Sequence, residues 1–331
     1  MASNYPIEVI PAAAISEAIS KAPALIVDTT QNDHIFKSLE NLYAQGNYKL
    51  YLTRPGINQL ATILSRANSC GVRTIVLCSG QVSSLNQILP QKNFSASLIS
   101  PGTDINPESV HQTLLSNGSL EAFSHIAYQS YRTNPSQTSA MSDKFFEELR
   151  LGTLRNDITL AEPLIRNKEY AFLDLNSVRS SDFPGNPLNS PNGLYAEEVC
   201  QIARYIGMGQ DIKSLFLFGI PSGKKHNPVA TELVSEIVWH VVEALSANIV
   251  EDPADPSKEE LFLKKIVSMG QDGQDIMFVT SRSTGRWWME IPDIENSGNL
   301  FIPCSQSDYA TACSGELPLR WLFFFQKINP N

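Results

Sequence analysis

Short apolar runs alternate along the chain with segments whose apolar residues recur at helical spacing. Ala24-Leu25-Ile26-Val27-Asp28 and Thr74-Ile75-Val76-Leu77-Cys78 are apolar at nearly every position, the pattern of strands buried on both faces. Ser95–Ile99, Phe123–Tyr128, Tyr170–Leu175, Ser214–Phe218 and Asp275–Thr280 read the same way, so seven or eight strands are predicted. Between them, Ile57, Leu60, Ile63 and Leu64 space a helix over Ile57–Ala67, which Gly71 stops. Further helices are predicted over Ser83–Leu89, Pro107–Leu115, Ala140–Leu149 and Ala196–Ile206. The clearest is Thr231–Leu245, where Leu233, Val234, Ile237, Val238, Val241, Val242 and Leu245 form one stripe of period 3.6. Doubly buried strands separated by helices imply an α/β fold with a mostly parallel sheet covered on both sides. Two Pro-rich stretches, Asp182–Asn192 and Glu251–Ser257, read as long loops rather than linkers, so one domain over residues 1–331 is expected.

Composition narrows the function classes. Of 331 residues, 42% are hydrophobic and 18% charged, so a large core is available and disorder along the whole length is excluded. The formal charge of −9 and the lack of a basic run argue against nucleic acid or an anionic membrane surface as partner. The longest apolar runs, Leu215–Ile220 and Trp321–Phe325, are far shorter than the ~20 residues of a membrane span. Met1–Pro11 has neither a basic nor an apolar signal region. Five scattered cysteines without a Cys-x-x-Cys pair point to reduced thiols and a cytoplasmic protein.

In an open α/β sheet, ligands bind beyond the carboxyl ends of the strands. Three such loops are rich in polar residues: Cys78-Ser79-Gly80-Gln81-Val82-Ser83, Tyr128-Gln129-Ser130-Tyr131-Arg132, and Asp174-Leu175-Asn176-Ser177-Val178-Arg179. The third belongs to a longer signature. It starts at Phe172-Leu173-Asp174-Leu175-Asn176 and continues through Pro184-Gly185 to Gly193-Leu194-Tyr195-Ala196-Glu197-Glu198. With the helix Val199–Tyr205 and Arg286-Trp287-Trp288-Met289-Glu290, it resembles the ureohydrolases, the arginase/agmatinase/formimidoylglutamase family. The similarity spans roughly residues 20–325 and is greatest to a divergent formimidoylglutamase-like branch.

The resemblance implies a three-layer α/β/α arginase-like fold, trimers or hexamers, and two manganese ions that activate a hydroxide against an amidine carbon. Such a pair needs about six hard ligands. Against the family's Gly-Gly-Asp-His-Ser, this chain has Ser79-Gly80-Gln81-Val82-Ser83, with Val82 in place of the histidine. Residues 127–132, against Asp-x-His-x-Asp, contain no aspartate or histidine and bring in Arg132. The family's Ser-x-Asp-x-Asp keeps Asp174 but carries Asn176 in place of the second carboxylate, and Phe218 stands where a substrate-facing glutamate is implied.

The pocket implied by the resemblance is therefore formed by Gln81, Val82, Gln129, Ser130, Arg132, Asp174, Asn176, Arg179 and Phe218. No metal is expected in it. Asp174 and Asn176 are the residual candidates for manganese, and Arg132 or Arg179 is expected to neutralise Asp174. Plainer readings stand beside these: Asp174 as a structural carboxylate and Asn176 as a turn residue. His125 lacks a companion histidine in sequence, His34 and His111 have none, and His240 forms an ordinary helix-face pair with Glu236. His226, in Ser222-Gly223-Lys224-Lys225-His226, either meets an anion or belongs to a solvated loop. Gly207-Met208-Gly209 reads as a helix C-cap, and Arg286-Trp287-Trp288 and Arg320-Trp321 as sheet packing rather than a partner surface. The expected function is a catalytically degenerate ureohydrolase relative acting by binding a small ligand or a protein partner, and able to form homo-oligomers. The alternative is a working manganese-dependent amidine hydrolase with an altered site.

Overall fold

A computed structural model describes the chain except residues 1–4, 17–18, 20, 57–58, 81–84, 104–105, 107, 222–226, 248, 270–274, 297 and 330–331. The chain forms two compact units, Met1–Asn248 and Ile249–Asn331.

The described residues of the first unit form nine strands: β1 (Ile7–Val9), β2 (Leu25–Asp28), β3 (Leu50–Thr53), β4 (Thr74–Leu77), β5 (Phe94–Ile99), β6 (Leu120–Tyr128), β7 (Glu147–Arg150), β8 (Tyr170–Asp174) and β9 (Ser214–Phe218). They form one sheet in the order β1-β3-β2-β4-β9-β8-β5-β6-β7. Every pairing in it is parallel. Alternate side chains leave opposite faces. Ile26, Ile75, Leu77, Ala171, Leu173, Leu215 and Leu217 therefore join one core, shared with the helices Asp33–Glu40, Ala196–Gly207 and Pro228–Ala247. Leu25, Val27, Val76, Phe172 and Phe216 join the other, shared with the helices Leu60–Ser69 and Val110–Ser116. The result is the expected three-layer α/β/α arrangement.

All seven residues of the stripe anticipated over Thr231–Leu245 are buried. The helix that carries them packs closely on Ala196–Gly207, because a Cβ at Gly207 would stand 2.4 Å from Val241 O. The helix expected over Ala140–Leu149 is instead Pro135–Asp143, followed by β7. Asn134 caps the earlier start by accepting from Ser136 N. Phe145, at φ 52°, turns the chain out of the helix. Met141, Phe146 and Leu149 still reach the core, by a helix, a turn and a strand rather than by one stripe.

The second unit is a four-stranded antiparallel sheet in sequence order: β10 (Phe262–Val267), β11 (Ile276–Ser281), β12 (Trp287–Asp293) and β13 (Gly298–Cys304). The helices Gln306–Cys313 and Leu319–Ile328 follow. Ile276, Phe278, Met289, Ile291, Cys304, Ala312 and Trp321 form its core, and Trp321 Nε1 donates to Glu290 O at 3.0 Å. Near its start, the buried Glu251 carboxylate accepts from Ser281 Oγ, from Ser283 Oγ at 3.2 Å and from Thr284 Oγ1 at 2.8 Å. Arg286 Nη1 lies 3.5 Å from the same carboxylate. Trp288 is buried and Trp287 half-buried, so the Arg-Trp-Trp segment packs its own sheet. Where seven or eight strands were expected, the described residues form nine in the first unit and four in the second. The boundary lies directly before Glu251–Ser257, a stretch that the sequence reading treated as a loop.

Candidate functional site

The carboxyl ends of β5, β6, β8 and β9 meet at a cavity of about 520 Å³. It is lined from the sheet by Leu98, Asp174 and Phe218, and from the loops by Ser100, Gly102, Thr103, Tyr131, Arg132, Asn176 and Leu188. His111 reaches it from the helix Val110–Ser116. Asp174 and Phe218 are direct neighbours across the β8–β9 pairing, in the same alternating rows as Phe172 and Phe216. The pleat that buries those rings below sends the next side chains of both rows into the cavity.

Asp174 opens a 3₁₀ turn, Leu175–Ser177. Its Oδ1 accepts from Asn176 N at 2.9 Å and from Asn176 Nδ2 at 2.8 Å. Asn176 Oδ1 in turn accepts from Leu188 N at 3.2 Å. Gly219, at φ +80°, leaves room beside this pair, since a Cβ there would lie 3.3 Å from Asp174 Oδ1.

The loops after β5 and β6 are locked together. Gln129 N donates to Pro101 O at 2.9 Å, Thr103 N to Arg132 O at 3.2 Å, and Asn134 N to Thr103 Oγ1 at 2.8 Å. Gly102 is required where they touch: a Cβ there would sit 2.4 Å from Arg132 O. Arg132 is thereby fixed at the cavity by its own backbone.

The end of β6 is bulged. Ala127 lies at φ 67°, and the pairing with β7 shifts between Ile126 and Tyr128. One extra residue puts His125 and Tyr128 on the same face, with rings stacked 5.3 Å apart. His125 is fully buried, and its ring lies 5.3 Å from that of His111. His125 Nε2 is 2.8 Å from Ser100 Oγ, and that hydroxyl donates its proton to Gly102 O at 3.0 Å. Nε2 therefore carries the proton that Ser100 accepts, which in the neutral ring leaves Nδ1 as a bare lone pair. Burial first, and then the neighbouring His111, push the His125 pKa down to about 3.

Of the residues expected from sequence, Arg132, Asp174, Asn176 and Phe218 line the cavity. Gln129 is buried beside it, donating from Nε2 to Asn192 O at 3.3 Å and accepting from Tyr131 OH. Ser130 is exposed on the same turn. Arg179 is engaged elsewhere: its Nε donates to Asp182 Oδ1 at 2.7 Å, and its guanidinium stacks 4.0 Å over the Tyr195 ring. Gln81, Val82 and His226 lie outside the described residues. Sequence reasoning passed over Ser100, Thr103, His111 and Tyr131. The signal for the first two was available, because Ser95–Ile99 was read as a strand and its carboxyl-end loop follows directly. The pairing of His111 with His125 was not, because the two come from separate elements.

No group of three or more His, Cys, Asp or Glu side chains able to hold a metal occurs among the described residues. Among the described residues the cavity offers one carboxylate, whose Oδ1 already accepts two hydrogen bonds, together with a guanidinium that repels cations. These donors do not fit a two-manganese centre, which needs several anionic ligands. No helix among the described residues is long and apolar enough to cross a membrane.

No protein-family model matches the chain, and no curated protein does. Solved structures do match. Formiminoglutamase of Trypanosoma cruzi superposes with TM-score 0.62 at 15% identity, covering 71% of this chain and 96% of that one. Formimidoylglutamase of Bacillus subtilis gives TM-score 0.60 at 11% identity, covering 74% and 93%. Agmatine ureohydrolase of Thermoplasma volcanium gives 0.53 at 14%, covering 71% and 94%. One of the Trypanosoma structures carries manganese. A sheet of nine parallel strands among the described residues, with helices on both faces and matched over almost the whole of each of these chains, gives this protein an arginase-like α/β fold.

Proposed function

We propose that the protein is a non-catalytic relative of the ureohydrolases that binds a small ligand in the cavity at the carboxyl ends of β5, β6, β8 and β9. One observation carries this reading: Arg132 and Asp174 are the lysine, arginine or carboxylate side chains that line the cavity among the described residues. A site of this charge suits a small polar ligand better than a pair of divalent ions. The reading places the protein in a reducing, cytoplasmic setting, which its five free cysteines support.

The competing reading, a manganese-dependent amidine hydrolase, draws on two oxygen donors in the cavity, Asp174 at the end of β8 and Asn176 on the loop after it. Purification in manganese separates the two. The binding reading expects sub-stoichiometric metal, no release of formamide from formiminoglutamate or of urea from arginine or agmatine, and no rise in melting temperature. Asp174→Ala removes the acceptor of two hydrogen bonds and should cost about 1–3 kcal/mol, a fall of several degrees. A manganese-dependent rise abolished by Asp174→Ala, together with product release, would establish a bound, working metal and end the binding reading.

A further inference from the structure

Arg132 is the unusual charge in the cavity. Its Nε is shielded from solvent and has no hydrogen-bond partner among the described residues. Its Nη2 reaches only Ser190 Oγ, at 3.3 Å. Neighbouring arginines are paired, Arg155 with Glu198 and Arg179 with Asp182, whereas Arg132 has no ion pair among the described residues. A guanidinium stays charged at any pH the protein meets, so a shielded N–H without an acceptor is a standing cost that a bound anion relieves. Thr103 N and Gly102 hold the Arg132 backbone in place, so its fork is presented in advance.

We infer that the cavity takes a small organic monocarboxylate, with its carboxylate on the Arg132 guanidinium and its body against Leu98, Val110 and Phe218. This rests on the binding reading above and names its ligand class. A carboxylate matches the planar fork of an arginine through two parallel hydrogen bonds. Asp174 lines the same cavity, so a phosphate dianion would meet more repulsion there than a monoanion does. The apolar lining residues Leu98, Val110 and Phe218 favour a ligand with a short hydrocarbon body over a bare ion. The volume, about 520 Å³, is that of a small-molecule site.

Saturation-transfer NMR on the full chain tests this with three probes, butyrate, its neutral isostere butyramide and butylamine, and with inorganic phosphate read by its displacement of butyrate. Butyrate should bind, and each of the others at least about tenfold more weakly. Arg132→Gln should abolish butyrate binding. Arg132→Lys keeps the charge but loses the fork; it should fold as the parent does and weaken butyrate by about tenfold. Butyrate should also raise the melting temperature of the parent more than that of Arg132→Lys. Absence of butyrate binding, equal binding by both variants and the parent, or preference for phosphate or butylamine would overturn the assignment. Manganese-dependent product release is a separate outcome: it ends the binding reading whatever butyrate does. Loss of the butyrate signal without any manganese effect ends only the ligand assignment.

Discussion

Ser100 has one hydroxyl proton, and its donation to Gly102 O decides the chemistry of the histidine behind it. His125 Nε2 then carries a proton, and burial keeps the native ring neutral, with Nδ1 bare. Its pKa falls from 6.5 to about 3 on folding, through burial and the nearby His111. The sign follows directly. Between about pH 6.5 and about pH 3, the unfolded chain holds a proton on this ring that the native chain does not. The contribution of His125 to stability is complete above pH 6.5 and falls as the pH drops through that window. His125→Leu removes the titration. The stability difference between parent and variant, read from urea midpoints, should drift against the parent by up to about 1.4 kcal/mol per pH unit on acidification. A difference that stays constant across the window would show that the native ring is protonated.

Close helix packing depends on one absent methyl group. Gly207 ends the helix Ala196–Gly207, and a Cβ there would meet Val241 O at 2.4 Å and Ala244 Cβ at 2.7 Å. Gly→Ala in a helix gains about 1 kcal/mol of propensity. The clash is with backbone, which cannot rotate away, and overpacking of this kind costs about 1–3 kcal/mol. Gly207→Ala should therefore be net destabilising, with a lower urea midpoint and an unchanged slope. At this scale much of the fold was legible. The strands at the middle of the sheet are apolar on both faces, and each appears in the sequence as an unbroken run: Ile75-Val76-Leu77 in β4 and Leu215-Phe216-Leu217-Phe218 in β9. Elements near the sheet edge were not. β1 has three residues of which two are exposed, so nothing in Ile7-Glu8-Val9 marks a strand. Phe145 shows why apolar spacing misled over residues 140–149: its left-handed backbone inserts a turn where the period runs on. At the site, the β8 loop was legible because its signature is local. His111, Ser100 and Arg132 meet only through parallel pairings and a bulge, neither of which leaves a mark on sequence spacing.

For the molecule as a whole, the two units carry separate apolar cores, and every residue that lines the cavity belongs to the first. The matched relatives are covered almost completely by about seven-tenths of this chain, so the arginase-like part is complete in a smaller protein. A chain of residues 1–248 should therefore fold alone, with cooperative melting and helix content in proportion. Circular dichroism and calorimetry of that fragment check this; a molten fragment without a thermal transition would show that residues 249–331 are needed for its core.

The central pairing of β4 with β9 also has a consequence in time. Thr74 Oγ1 donates to Ser214 Oγ across that pair, 140 residues apart in the chain. A ribosome adding about 5–20 residues per second needs roughly 7–28 s to supply the missing strand. Throughout that interval the apolar edge of β4 is without its inner neighbour, the condition under which nascent chains associate with one another or with holding chaperones. Parallel pairings of such separation also form late and slowly in refolding. Nascent chains arrested before residue 214 should accordingly be protease-sensitive and chaperone-bound, and those arrested well beyond residue 248 should be protected. Early protection would mean that β4 is covered by another partner during synthesis.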